Sequence, residues 1–197
     1  MSGNNKAIKY GISEFPEIRR CNGHCVDNTR GNPYILLYRT PSDFDDIVIT
    51  GDDDAVTGVH FTERNIDGNI SVSNAPLPLR EACRWLDVYF SGREPGFLPP
   101  YRLERATDFR RKVAELMLRI PFGATETYGG IANVIAKTVS GRMSAQAVGG
   151  AVGWNPIGII IPCHRVIGTD GSLTGYGGGM RNKIALLAHE RASLKRL

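Results

Sequence analysis

Ile157-Gly158-Ile159-Ile160-Ile161-Pro162-Cys163-His164-Arg165-Val166 is the stretch whose reading organises the rest of the chain. Its first five residues are a nearly continuous apolar run and read as a buried segment. The run delivers the chain straight into Pro-Cys-His-Arg. Polar side chains at the end of a buried approach are costly unless they are partnered or put to use. Taken singly, Cys163 reads as a small core hydrophobe, because buried cysteines are mostly inert. Its neighbours change that reading. Arg165 and His164 can both raise the thiolate fraction of a group whose free pKa is about 8.5. Farther along, His189-Glu190 offers a carboxylate that can orient an imidazole.

Working back from this stretch, the sequence predicts two short helices. Thr127 can cap the first, which carries Tyr128, Ile131, Ala132 and Ile135 on one face. Gly141 falls in the turn. Ser144 can cap the second, which carries Ala145, Ala147, Val148 and Ala151. Helix, short glycine-containing turn, helix is the outline of a helix-turn-helix. Gly149 and Gly150 cost helix stability but let another backbone lie close, whether that of DNA or of a neighbouring helix. Before this pair, Thr107 can cap a helix carrying Phe109, Val113, Leu116, Met117 and Ile120, ended by Pro121 and Gly123.

Pro95, Gly96, Pro99 and Pro100 mark a linker, so the chain divides into an N-terminal α/β part, residues 1–98, and a C-terminal part, residues 99–197. In the first part Tyr34–Tyr38, Ile47–Ile49 and Val56–Phe61 read as strands, the last two joined through Gly51-Asp52-Asp53-Asp54. A helix from about Leu79 to Ser91 follows, with Leu79, Ala82, Cys83, Leu86 and Phe90 on one face and Gly92 at its end. The fold class expected is α+β: a small sheet with a helix, then a mostly helical domain containing the helix-turn-helix.

Charge separates the two parts. Residues 1–100 carry 10 Lys and Arg against 14 Asp and Glu, and residues 101–197 carry 14 against 6. A net of +8 in the second part attracts polyanions, nucleic acid being the commonest. The start of the chain has no apolar run and no stretch is long enough to span a membrane, so the expectation is a cytoplasmic protein (nuclear in a eukaryote) with reduced thiols and no membrane partner.

Several motifs, in order, resemble the methylated-DNA–protein-cysteine methyltransferases. They are Pro121-Phe122-Gly123, Thr127-Tyr128-Gly129, Ala147-Val148-Gly149-Gly150, Asn155-Pro156, Pro162-Cys163-His164-Arg165-Val166, Gly175-Tyr176 and Leu186-Leu187-Ala188-His189-Glu190. The strong match covers about residues 107–190. The acidic part resembles the family only through its strands and Tyr89-Phe90-Ser91-Gly92. The resemblance implies that Cys163 accepts the alkyl group, that His164 takes its proton through a water, and that Glu190 orients His164. It implies that Asn155 holds the turn placing the reactive segment and that Tyr128 donates a hydrogen bond to an extruded base. Val166, Tyr176 and Gly177 would line the base pocket, the carbonyls of Cys163 and Val166 accepting from the guanine amine. Arg165 would hold the domain together. Gln146, Arg142, Ser144, Ala147 and Gly150 would face the DNA. At the position where the family usually inserts an arginine into the duplex, this chain has Gln146. The implied partner is double-stranded DNA containing alkylated guanine, met by a monomer that needs no cofactor.

The chemistry is coherent without the family. A saturated carbon on an aryl-like oxygen needs a soft, strong nucleophile and a stabilised leaving group. The thioether product is not hydrolysed, so each molecule would act once. A lesion-recognising module without chemistry would have no use for Cys163. A cysteine hydrolase usually draws its histidine from far along the chain, whereas His164 adjoins Cys163. Cys21-Asn22-Gly23-His24-Cys25, with His60 as a possible fourth ligand, has the residue types of a zinc site but no established zinc spacing; unpaired surface thiols fit better, and no metal is expected. Cys83 reads as packing.

Overall fold

In a computed structural model, residues 33–62, 69–138, 141–173 and 175–194 are described. The Cys21, His24 and Cys25 cluster lies outside them. Among the described residues no group of three potential metal ligands occurs, and no helix is long and apolar enough to cross a membrane.

Three antiparallel strands come first: β1 (Tyr34–Tyr38), β2 (Asp46–Gly51) and β3 (Val56–Thr62), in the order β1-β2-β3. The register pairs Leu36 with Ile49 and Ile49 with Val59. Period-two alternation sends Leu36, Ile47, Ile49 and Val59 into the main core, while Ile35 and Val48 form a small cluster with Leu37 on the other face. Helix α1 (Leu77–Phe90) packs against the sheet, starts with Pro78 in its first turn, and ends at Gly92, whose φ of 83° stops it.

Helix α2 (Asp108–Leu118) is capped by Thr107, whose side chain accepts from the Arg110 amide. Two-residue strands β4 (Glu126–Thr127) and β5 (Val166–Ile167) pair in parallel, bringing the start of helix α3 (Tyr128–Thr138) beside the segment that follows Cys163. The Thr127 hydroxyl accepts from the Gly130 amide at 2.8 Å, and the Ser144 hydroxyl caps helix α4 (Ala145–Gly153) by accepting from Ala147. Helices α3 and α4 pack on each other as the helix-turn-helix, with α2 behind α4. The buried face of α4 is Val148, Ala151 and Val152. Ala145 and Ala147 are exposed, because the 148-151-152-155 spacing points inward and leaves 145 and 147 outside it. Helix α5 (Gly179–Leu194) completes the fold.

The acidic and basic parts share one continuous hydrophobic cluster, from Leu36 on β1 to Leu186 on α5. Edge strand β3 is also extended by chain from the second part. Val56 exchanges backbone hydrogen bonds with Pro100 and Arg102, and Val59 with Pro156 and Gly158. A Cβ on Gly158 would lie 2.8 Å from the Val59 carbonyl, so only glycine allows that pairing. Asp45, before β2, accepts from Arg181 and from Asn182 Nδ2 on α5, while its own amide donates to Asn182 Oδ1. The sheet therefore braces both sides of the segment that carries Cys163.

Candidate active site

The apolar run is neither helix nor strand. It is a chain of tight turns, wholly buried from Ile159 to Ile167. The Ile160 amide donates to Gly158 O at 2.7 Å around Ile159, whose φ is 66°. This is the rarer, strained kind of γ-turn, and a β-branched residue there costs on the order of 1–3 kcal/mol. The Cys163 amide donates to Ile161 O, and Pro162 between them sits at φ −79°, ψ 59°, an unstrained inverse γ-turn.

Asn155 holds this path. Its Oδ1 accepts from the Ile157 amide at 3.1 Å, and its Nδ2 donates to Ile157 O, to Ile161 O at 3.0 Å and to Cys163 Sγ at 2.9 Å. Two amide hydrogens shared among three acceptors tie the turn and the sulfur together. Negative charge developing on Sγ thus has a donor already aimed at it.

Cys163, His164 and Arg165 form a single 3₁₀ turn, all buried. Its geometry sends His164 and Arg165 to one carboxylate on α5. Glu190 Oε1 receives His164 Nε2 at 2.7 Å and Arg165 Nη2 at 3.0 Å, and Oε2 receives the Gly123 amide at 2.7 Å. Gly123 presents that amide at φ 74°. Arg165 also reaches the Ile120 carbonyl and lies over the Phe122 ring, tying the end of α2 to the site. A third residue donating to Oε1 comes from α1: the Tyr89 hydroxyl, at 2.8 Å.

Burial works against charge on Glu190, but the charges and hydrogen bonds of His164 and Arg165 outweigh it and hold the carboxyl at about 2. Burial pushes His164 down despite the pull of Glu190. An ionised carboxylate only accepts, so His164 carries its hydrogen on Nε2 and Nδ1 is left as an acceptor. That Nδ1 is buried without a hydrogen-bond partner among the described residues.

Tyr176 is buried against Phe61 of β3 and next to Cys163; burial first, then the charges of Cys163 and Glu190, raise its phenol well above the ordinary value. Gly177 and Val166 are buried beside it, and the Val166 amide already donates to the Cys163 carbonyl. The ring of Tyr128 lies over Gly149, where a Cβ would touch it at 3.9 Å. Arg142, Ser144, Gln146, Ala147 and Gly150 are all exposed around the start of α4, whereas the Cys163 sulfur is buried. Cys83 is buried with its thiol pushed up to about 12 by burial and then by Asp87, a packing residue as expected. Two contributors escaped the sequence reading: Tyr89, which the 79-82-86 spacing on α1 extends to, and Phe61.

A buried thiol with a poised amide donor, beside a carboxylate-oriented imidazole and below a helix-turn-helix, matches a known protein family over most of the chain. The profile of the 6-O-methylguanine DNA methyltransferase DNA-binding domain fits residues 108–192. The methylated-DNA–protein-cysteine methyltransferase of Mycobacterium tuberculosis (strain H37Rv) is 39% identical over 160 residues, 80% of this chain and 94% of that protein. The chain belongs to the methylated-DNA–protein-cysteine methyltransferase family. The enzyme of that name from Methanosarcina acetivorans is 36% identical over 159 residues, covering 80% of this chain and 97% of its own. Among solved structures, Mycobacterium tuberculosis O6-methylguanine methyltransferase superposes with a TM-score of 0.63 at 34% identity, over 82% of this chain and 94% of that one. Mycobacterium tuberculosis OGT in complex with DNA gives 0.64 at 35%, over 82% and 93%. This chain is therefore a DNA-repair methyltransferase of the protein-cysteine type, with the α+β architecture of that family.

Proposed function

We propose that the protein repairs double-stranded DNA by moving the alkyl group of O6-methylguanine onto Cys163, once per molecule. The observation that carries the reading is the donor-held sulfur beside the His164–Glu190 pair. His164 Nδ1, through one water, takes the thiol proton. The thiolate attacks the methyl carbon; the S–C bond forms as the O6–C bond breaks, and that electron pair passes to the base. Tyr128 gives the base a proton and regains one from solvent, to which His164 releases the proton it took, so guanine leaves neutral. Asn155 holds the sulfur and its turn, and Glu190 holds the imidazole. Val166, Tyr176 and Gly177 line the pocket for the extruded base, which accounts for an acceptor sulfur that no duplex base could reach in the stack. The Cys163 and Val166 carbonyls accept from the guanine amine.

DNA meets the exposed face of α4 through Ser144, Ala147 and Gly150, where small residues admit a close backbone, with Arg142 at phosphate and Gln146 entering the duplex. The same reading has residues 99–197 carry DNA and acceptor, residues 1–98 brace them, and a monomer in the cytoplasm act alone. Incubation with a duplex containing O6-methylguanine, then digestion and mass spectrometry, tests it. A methyl on the Cys163 peptide is expected, with Cys163→Ala still binding duplex but transferring nothing. Methyl elsewhere, or none, overturns it.

A further inference from the structure

The carboxylate of Glu190 is clamped by His164, Arg165, the Gly123 amide and Tyr89. The first three lie within residues 108–192, the span matching the family's DNA-binding domain. Tyr89 does not. It comes from α1, 75 residues from His164 and 101 from Glu190. Its side chain is fully buried, its hydroxyl is 2.8 Å from Glu190 Oε1, and the same oxygen is 3.4 Å from His164 Nε2. One hydroxyl therefore stands against both members of the pair that handles the thiol proton.

Its placement is held independently of that hydroxyl. The ring stacks on Trp85 at 5.4 Å with a 10° interplanar angle and meets Phe122 edge-on at 5.7 Å. Its backbone carbonyl accepts from His189 Nε2 at 2.8 Å, next to Glu190 on α5. Phenylalanine would keep all of these contacts. The hydroxyl is thus separable from the packing, and what it touches is the carboxylate that sets the His164 tautomer.

We infer that Tyr89 is a positioning residue for alkyl transfer, through which the N-terminal helix holds Glu190 Oε1 against His164 and tempers its negative charge. Burial and the neighbouring Glu190 charge keep the Tyr89 phenol protonated, so it donates throughout the working pH range. Without that donor, more of the Oε1 charge is directed at His164 and the imidazole holds a proton more tightly. Neutral His164 is what accepts the thiol proton, so the acid limb of the rate profile moves to higher pH. The orientation of the ring is also less fixed, and the rate falls.

The inference rests on the Cys163–His164–Glu190 relay proposed above, and the experiment separates the two. Single-turnover methyl transfer from a methylated duplex is measured against pH for the full chain, Tyr89→Phe, Glu190→Gln and the double variant, with thermal melting of each. For Tyr89→Phe the expectation is a rate about tenfold lower, the low end for a hydrogen bond to a charged group, and an acid limb shifted upward. Melting should fall by no more than a few degrees, the cost of that one hydrogen bond, and the Tyr89→Phe effect on rate should vanish in the Glu190→Gln background. Wild-type transfer by Glu190→Gln overturns the relay. Slow transfer by Glu190→Gln with wild-type transfer by Tyr89→Phe overturns the inference alone. A slower Tyr89→Phe whose acid limb stays in place also overturns it, as does an effect that persists undiminished beside Glu190→Gln; either result assigns Tyr89 to folding.

Discussion

Glu190→Gln is the substitution whose cost can be worked furthest from the structure. The native carboxylate is fully buried, ionised, and surrounded by donors on both oxygens. Glutamine keeps one acceptor oxygen and turns an NH₂ toward either the Gly123 amide or the His164 and Tyr89 donors. It also leaves the buried Arg165 guanidinium without its counter-charge. Breaking such a pair costs about 3–5 kcal/mol. Linkage gives a similar figure. A carboxyl at 4.5 in the unfolded chain and about 2 in the folded one contributes about 3 kcal/mol. Because the folded value is the lower one, that contribution is complete above the unfolded value. It is lost as pH falls from about 4.5 toward 2. Urea unfolding of wild type and variant across this range is the assay. The variant should be less stable by about 3 kcal/mol at neutral pH, and the gap should shrink by more than half near ~pH 3. A gap that is absent at neutral pH, or unchanged in acid, would refute the assignment of Glu190 as an ionised anchor.

Asn155→Ala removes four hydrogen-bonding contacts from a strained turn and should cost about 2–4 kcal/mol at roughly 1 kcal/mol each. Asn155→Asp keeps the Ile157 acceptor but sets an oxygen against Sγ, so single-turnover assays should show transfer falling more than melting does. Gln146 is exposed on α4 and uncharged; Gln146→Arg should speed repair of duplex and leave free O6-methylguanine base unaffected, since only the duplex pays for extrusion. Gln146→Ala should slow duplex repair and again spare the free base, and equal effects on both substrates would show that Gln146 acts through folding.

Local patterns in the sequence carried much of the architecture. The strands, the Thr107, Thr127 and Ser144 caps and the glycine stop at Gly92 follow from residues near each element, and each is present. The turns around Ile159 were invisible: an isoleucine in left-handed conformation contradicts its local preference and exists only because Asn155 and the Val59 pairing impose it. Cys163 and His164 announce themselves by proximity in sequence, while Asn155 entered only through the family resemblance. Glu190 offered itself from the residues alone as a carboxylate that can orient an imidazole, and the resemblance implied the same role. Tyr89, Phe61 and the Asp45–Asn182 clamp act across 75 to 137 residues, and no local pattern encodes such distances. They are also what makes the acidic half more than a separate module.

The central claim is that Cys163 is consumed by the reaction. It is tested most directly by counting methyl groups removed per protein molecule when methylated duplex is in large excess. Removal should plateau at one methyl per protein, with the intact protein heavier by a single methyl. Continued removal beyond that plateau would mean that the alkyl group leaves the sulfur, and would contradict the account.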